Sequence, residues 1–178
     1  MFLRPSELVK RFGLREGMHV GDFGAGSGHF SKMLAQAVGT SGRVFAIDIN
    51  EGLLCRVDRE AKALGHANIE IVCWNMENDA PPLEASSLDA GLISNTLFQI
   101  EQKEKALQNV RRLLKPAGML LVTDWAGSFN NLGPTQEQVF PEREARELLA
   151  QHGFIVEKVV PAGFYHYALI ARKNVTDL

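Results

Sequence analysis

The sequence predicts an α/β fold: an open, doubly wound sheet of mostly parallel strands with helices on both faces. Two observations carry that expectation. Apolar strand signals alternate with helical ones along the chain, which imposes right-handed crossovers and a sheet covered on both sides. Several strand candidates, such as Arg43 to Ile49 (RVFAIDI), are short continuous apolar runs of the kind buried on both faces.

Ser6 to Phe12 reads as a short entry helix closed by Gly13. Met18 to Phe23 is the first strand, and a glycine cluster leads from it into a helix over His29 to Val38. After the second strand, Leu53, Val57, Ala61 and Leu64 recur at helical spacing, with Gly65 as the C-terminal cap. Ile69 to Trp74 and Leu88 to Ser94 are the third and fourth strands. Ala106, Val110, Leu113 and Leu114 mark a helix that Pro116 stops, and Met119 to Asp124 is strand five. A helix then opens at Pro141, with acids in its first turn, and ends near Gly153. Ile155 to Val160 and Tyr165 to Arg172 close the chain as a hairpin, which puts an antiparallel strand at or near a sheet edge. The long irregular stretch, Ala126 to Phe140, is of the length that usually serves function, such as a lid.

The chain of 178 residues suits a single domain over 1–178, with a core that needs no disulfide or metal staple. Its net charge of −2 supplies no global positive field for nucleic acid or anionic lipid. Cys55 and Cys73 lack CxxC spacing and read as packing residues, and the five histidines are scattered, so no metal site is expected. No apolar run approaches the length of a membrane span, and MFLRPSELVK does not read as a secretory signal, so a cytoplasmic protein is expected.

In open sheets of this kind ligands bind beyond the carboxyl ends of the strands. There Val20 to Phe30 reads VGDFGAGSGHF, with Gly24, Gly26 and Gly28 between strand and helix. Such a turn lets a nucleotide-like ligand approach bare backbone. The spacing is not G-x-G-x-x-G, since His29 stands at the third glycine, and the Gly-Lys-Ser/Thr of a P-loop is missing. Asp22 would repel a pyrophosphate by roughly 4 kcal/mol at about 4 Å and an effective dielectric near 20. It would favour a ligand carrying an ammonium and a sulfonium, as S-adenosylmethionine (SAM) does. Asp48 ends strand two, where a carboxylate can take both ribose hydroxyls; capping of the next helix is the alternative, for which Asn50 is as well placed. Asn75 offers an amide matched to adenine or, equally, to a turn, and Met76 a face for the purine. Ser94 and Asn95 follow strand four and would pass the adenosyl or methionyl part with their backbone.

Four segments together resemble the class I SAM-dependent methyltransferases, in particular the ubiquinone and menaquinone C-methyltransferase branch: VGDFGAGSGHF, VFAIDIN, WNMEN, and LISNTLFQI followed by VRRLLKPAGMLLVTDW. The resemblance implies a Rossmann-like seven-stranded sheet of order 3-2-1-4-5-7-6. It also implies SAM as cofactor, held by Asp22, Gly24, Gly26, Asp48, Asn75 and the turn of Ser94 and Asn95; Ala25, Gly28, Ile49, Met76 and Glu77 in the same segments are expected to join them. Many relatives carry Asp where this chain has Asn75. Relatives also roof the substrate with longer helices, whereas here Met1 to Arg15 and the Ala126 to Phe140 loop are available, so an open site or one completed in a homodimer is compatible.

Methyl transfer needs a general base only if the nucleophile must lose a proton. Asp124, His29 and His166 are candidates, each with a plainer alternative: loop capping for Asp124, packing for His29, solvent exposure for His166. Trp125, Phe98, Phe129 and Tyr165 are candidates for lining a flat acceptor pocket, or are core. The expected function is methyl transfer to a small molecule, quinone-like or phenolic. A macromolecular acceptor and a SAM-binding regulator without turnover are the alternatives.

Overall fold

A computed structural model describes residues 3–129 and 132–175. The elements run α1 (Pro5–Phe12), β1 (His19–Phe23), α2 (His29–Val38), β2 (Arg43–Asp48), α3 (Glu51–Ala63), β3 (Ile69–Cys73) and β4 (Leu88–Ser94). A single 3-10 turn (Leu97–Gln99), α4 (Lys103–Leu113), β5 (Leu114–Trp125), α5 (Glu142–Gln151), β6 (Phe154–Val159) and β7 (His166–Lys173) complete it. The sheet order is β3-β2-β1-β4-β5-β7-β6, and β7 is antiparallel to both neighbours. The expected order is therefore found, with the closing hairpin at one end.

Period-two alternation sorts the strand residues between two core layers. Val20, Ala90, Leu92, Leu121, Ala168 and Ile170 face α1, α2 and α3, which contribute Leu8, Leu34 and Val57. Phe23, Ile93, Leu120, Val122 and Leu169 face α4 and α5, which contribute Leu107, Val110 and Leu149. Continued to the carboxyl ends of β1, β4 and β5 and to the amino end of the antiparallel β7, the same alternation puts Asp22, Ser94, Trp125 and His166 on the α1–α3 face. Asp124 falls on the opposite face, across the ladder from Tyr167.

Local chemistry explains the boundaries. Asn50 caps α3 by accepting the Leu53 amide at 3.1 Å. α1 ends at Gly13 in the left-handed region. Leu114 does not continue α4 but starts β5: Leu88 pairs with Leu114 and Ala90 with Met119, so residues 115–118 bulge from the ladder. Asp89 fills that irregularity, accepting from the His19 amide at 2.8 Å and from Lys115 at 2.6 Å. Lys115 is thus tied to the sheet by its ion pair with Asp89. Both cysteines are exposed, so the expected packing role fails: β3 is the edge strand, and Cys73 lies at its end.

In the 126–140 loop, Leu132 pairs back onto Phe129 with a 2.7 Å amide hydrogen bond, and Gly133 lies against the Trp125 ring. Positions 130 and 131 of the expected lid, and residues 1 and 2 of the entry segment, lie outside the described residues. No helix among the described residues is long and apolar enough to cross a membrane, and no cluster there suits a metal ion.

One buried side chain ties α4 to the loop after β3: the Asn109 amide donates to the carbonyls of Met76 and Asn78, both at 2.8 Å. Asn109→Ala removes both bonds in a buried place, and the expected cost is about 2 kcal/mol. Urea unfolding of the variant and the parent measures it.

Candidate functional site

A cleft of about 650 Å³ opens at the carboxyl ends of β1 to β4. Its walls begin with the glycine turn. The amides of Gly24 and Ala25 both donate to the Ile47 carbonyl, at 2.8 and 2.9 Å, and the Gly26 amide donates to Asp48 Oδ2 at 2.8 Å. Three successive N–H groups of the turn are therefore already held by the end of β2. A phosphate would have to compete for them, which disfavours a dinucleotide and leaves bare backbone as the turn's contribution.

The glycines divide the work. A Cβ on Gly24 would lie 2.4 Å from Thr96 Oγ1, so the turn after β1 and the turn after β4 touch only because that atom is missing. Gly28 is not part of the cleft wall: its φ is +70°, and a Cβ there would meet Val57 of α3 at 2.7 Å. Its requirement is helix packing, contrary to the expectation of cofactor contact.

Asp22, Gly24, Ala25, Gly26, Asp48, Ile49, Asn75, Met76, Glu77, Ser94 and Asn95 all line the cleft. Asp22 is buried, accepts from Ser31 Oγ at 2.6 Å, and is pushed up to about 6, chiefly by loss of water and secondarily by nearby Asp48. Asp48 Oδ1 also accepts the Asn50 amide at 2.9 Å. Because Asn50 is the helix cap, Asp48 is not; it braces the glycine turn and faces the cleft. Asn75 Oδ1 accepts the Glu77 amide at 2.9 Å, an Asx turn that commits the oxygen and leaves the NH₂. Ile49 stands 69% exposed at the rim, an apolar surface suited to one face of a flat ring, and Met76 is buried below.

Asn95 takes a φ of +52° and donates its amide to the Thr123 carbonyl at 2.8 Å. Its side-chain oxygen is buried with no hydrogen-bond partner among the described residues, as is the Trp74 Nε1–H; both residues line the cleft. Orphaned polar atoms of this kind call for a ligand or solvent partner. Sequence reasoning missed Trp74, Ser31 and Phe30, whereas Thr96 belongs to the segment after strand four that it placed along the ligand. The position of Trp74 just past a strand end was the available signal; Ser31 and Phe30 gave none beyond the helical spacing that turns them toward β1.

The three candidate bases separate. His29 is exposed on the first turn of α2 and lines the cleft. Asp124 is fully buried, accepts the amides of Trp125 (2.8 Å) and Phe98 (3.2 Å), and is pushed up to about 6 by burial. Its backbone bonds reach back to Thr96 and Leu97, so it holds the 3-10 turn after β4 in place and does not line the cleft. His166 is 9% exposed, not solvent-facing as its alternative had it, and stacks on Trp125 with ring centroids 4.3 Å apart. Of the four candidate acceptor-lining aromatics, none lines the cleft. Phe129 packs edge-on against Tyr165 at 4.8 Å, Trp125 sits on His166, and Phe98 is half-buried.

The fold and the cleft are of the kind found in Rossmann-like, SAM-dependent methyltransferases. The chain belongs to this family: the family model described as a methyltransferase domain matches residues 14–160. It is 35% identical over 154 residues to a ubiquinone/menaquinone biosynthesis C-methyltransferase of Pasteurella multocida, covering 78% of this chain and 56% of that protein. The chain spans about half the length of the curated relatives it matches. A SAM-dependent methyltransferase from Aquifex aeolicus superposes with a TM-score of 0.89 at 30% identity, over 97% of this chain and 90% of that one. The [4+2]-cyclase SpnF shares the fold alone: TM-score 0.82 at 17% identity, over 96% and 80% of the two chains.

A carboxyl whose folded pKa is raised adds stability below its unfolded value and loses it as the pH climbs through the folded value. For Asp22 that window runs from the ordinary 3.8 to about 6. Asp22→Asn is therefore expected to exceed the parent in stability near neutral pH by up to about 3 kcal/mol, with the gap closing toward pH ~4. Urea unfolding at both ends of the window checks the sign.

Proposed function

We propose that this SAM-dependent methyltransferase acts on a small, planar acceptor of the quinol or phenol type. The observation that carries the cofactor half is the pairing of two carboxylates, Asp22 and Asp48, with a glycine turn whose amides are already engaged. Such a cleft suits a cationic, ribose-bearing ligand and not a pyrophosphate. The acceptor half is supported by the named activity of the quinone-biosynthesis relatives.

When bound, SAM supplies an electrophilic methyl on a sulfonium. Asp48 would take the ribose hydroxyls with the lone pairs that Gly26 and Asn50 leave open. Asp22, ionised above about 6, would neutralise the ammonium end. Ile49 and Met76 flank the place for the base, while the Asn75 NH₂ offers it a donor. Ser94 and Asn95 close the wall nearest β5, with the Asn95 oxygen free to accept. These groups align and desolvate rather than do covalent work, which is what an in-line transfer asks of a protein. The reading sets the enzyme in a reducing cytoplasm, where Cys55 and Cys73 stay thiols, with a second copy of the chain as a candidate roof.

Calorimetric titration with S-adenosylhomocysteine beside NADH tests the cofactor. Binding of the first alone is expected; binding of NADH, or of neither, sinks the reading. Asp48→Ala is expected to weaken S-adenosylhomocysteine by about tenfold or more while the circular dichroism spectrum is kept, because a charge-assisted pair is lost. Protonation of Asp22 competes with the ligand's ammonium, so affinity is expected to fall roughly tenfold from pH ~7.5 to pH ~5 in the parent and to flatten in Asp22→Asn.

A further inference from the structure

We propose that Trp125 and His166 form the floor of the methyl-acceptor site, His166 hydrogen-bonding a hydroxyl of a planar aromatic acceptor stacked beside Trp125. The proposal rests on the cofactor reading above and supplies the half that the cleft leaves open.

Position comes first. Asp22, Ser94 and Trp125 lie on one face of the sheet at the carboxyl ends of β1, β4 and β5, and His166, which opens the antiparallel β7, lies beside them on the same face. Trp125 and His166 are directly opposed in the antiparallel ladder. With strands about 4.8 Å apart and β5 between them, His166 on β7 stands roughly 10 Å across from Ser94 on β4, and Trp125 lies between the two. Asp124, on the opposite face, is excluded from this role by its own direction.

Chemistry comes second. Both ring nitrogens of His166 are buried, and neither has a hydrogen-bond partner among the described residues. A neutral imidazole offers one N–H and one bare nitrogen, and leaving either unmet in a buried place is costly. Burial lowers the pKa of this ring, so it is held neutral and able to accept a proton-bearing group. A hydroxyl is the smallest partner that can meet it either way.

The cover comes third. The loop after β5 lies against Trp125: a Cβ on Gly133 would sit 2.5 Å from the ring, so only glycine backbone can come this close to it. Phe129 rests on Tyr165 at 4.8 Å and near Phe164 at 6.3 Å, and the Ala126 amide donates to the Tyr165 carbonyl at 2.8 Å. Phe164 is 71% exposed beside this seam. The ring contacts of this seam are edge-to-face or tilted, of a kind that an aromatic guest can replace.

The test uses protein saturated with S-adenosylhomocysteine, whose binding is measured first on the same sample, and the probes 1-naphthol and naphthalene. We expect 1-naphthol to bind and to shift the ring nitrogen resonances of His166. We expect His166→Phe, which keeps the stack and removes the orphaned nitrogens, to hold or raise Tm and to keep its S-adenosylhomocysteine affinity. The same variant should weaken 1-naphthol by tenfold or more and leave naphthalene unchanged. Equal 1-naphthol affinity in the variant, no binding to the parent, or no shift at saturation overturns the proposal. Should the Phe variant not fold, the parent's ring nitrogen shift decides alone. Failure of S-adenosylhomocysteine to bind in the first step removes the cofactor reading, and this proposal with it.

Discussion

The clamp between the glycine turn and the end of β2 is the constraint on which the site depends. Ile47 accepts two successive amides through one carbonyl, and Asp48 takes the third with a side-chain oxygen. The turn after β1 is thereby pinned to the neighbouring strand before any ligand arrives. Its second consequence is close approach: with the turn held low, Gly24 meets Thr96, and the loops after β1 and β4 become one wall. A single backbone geometry therefore sets both the shape of the cleft and what it refuses, because the amides that would cradle phosphate are engaged inside the protein.

The carboxylates at the sheet's end divide between ligand and scaffold according to the face they occupy. Asp22 and Asp48 point into the cleft, and their mutual repulsion adds to the burial that raises Asp22. Asp124 sits at a comparable position on β5 but on the other face, where it meets the backbone amides of the turn after β4. Both raised acids cost stability near neutral pH. For Asp22 the cost is offset when a cation binds; for Asp124 it fixes the turn that carries the cleft wall. The stability lost at these positions is the ordinary companion of a functional site.

The acceptor side is built on a different principle. Instead of a rigid backbone clamp, it has ring contacts among Phe129, Phe164 and Tyr165 and between Trp125 and His166, with Gly133 of the loop after β5 lying against Trp125. The SpnF match shows the same scaffold in a protein named for a different chemistry, so the fold alone does not fix the reaction.

Much of the fold was legible in the chain, because strand and helix periodicities, turn glycines and caps are local. The glycine turn, Asp22, Asp48 and the post-strand positions at Asn75 and Ser94 could be placed in sequence because an α/β sheet delivers its strand ends to one edge. Other features depended on tertiary contacts. Gly28 proved a packing glycine because Val57 of another helix lies beneath it. Leu114 left the helix because Leu88 pairs with it. Asp124 and Trp125 are neighbours in sequence, yet strand alternation sends one to the scaffold and the other toward the acceptor side. His166 looked solvent-facing in an alternating aromatic stretch and is buried, because its strand lies between β5 and β6 with Trp125 across the ladder. The sequence by itself determined the sheet, its ligand-bearing edge and the chemistry of the cofactor end. The tertiary structure decided which face each side chain took and what covered it, because burial and partnership are properties of neighbours brought together from distant parts of the chain.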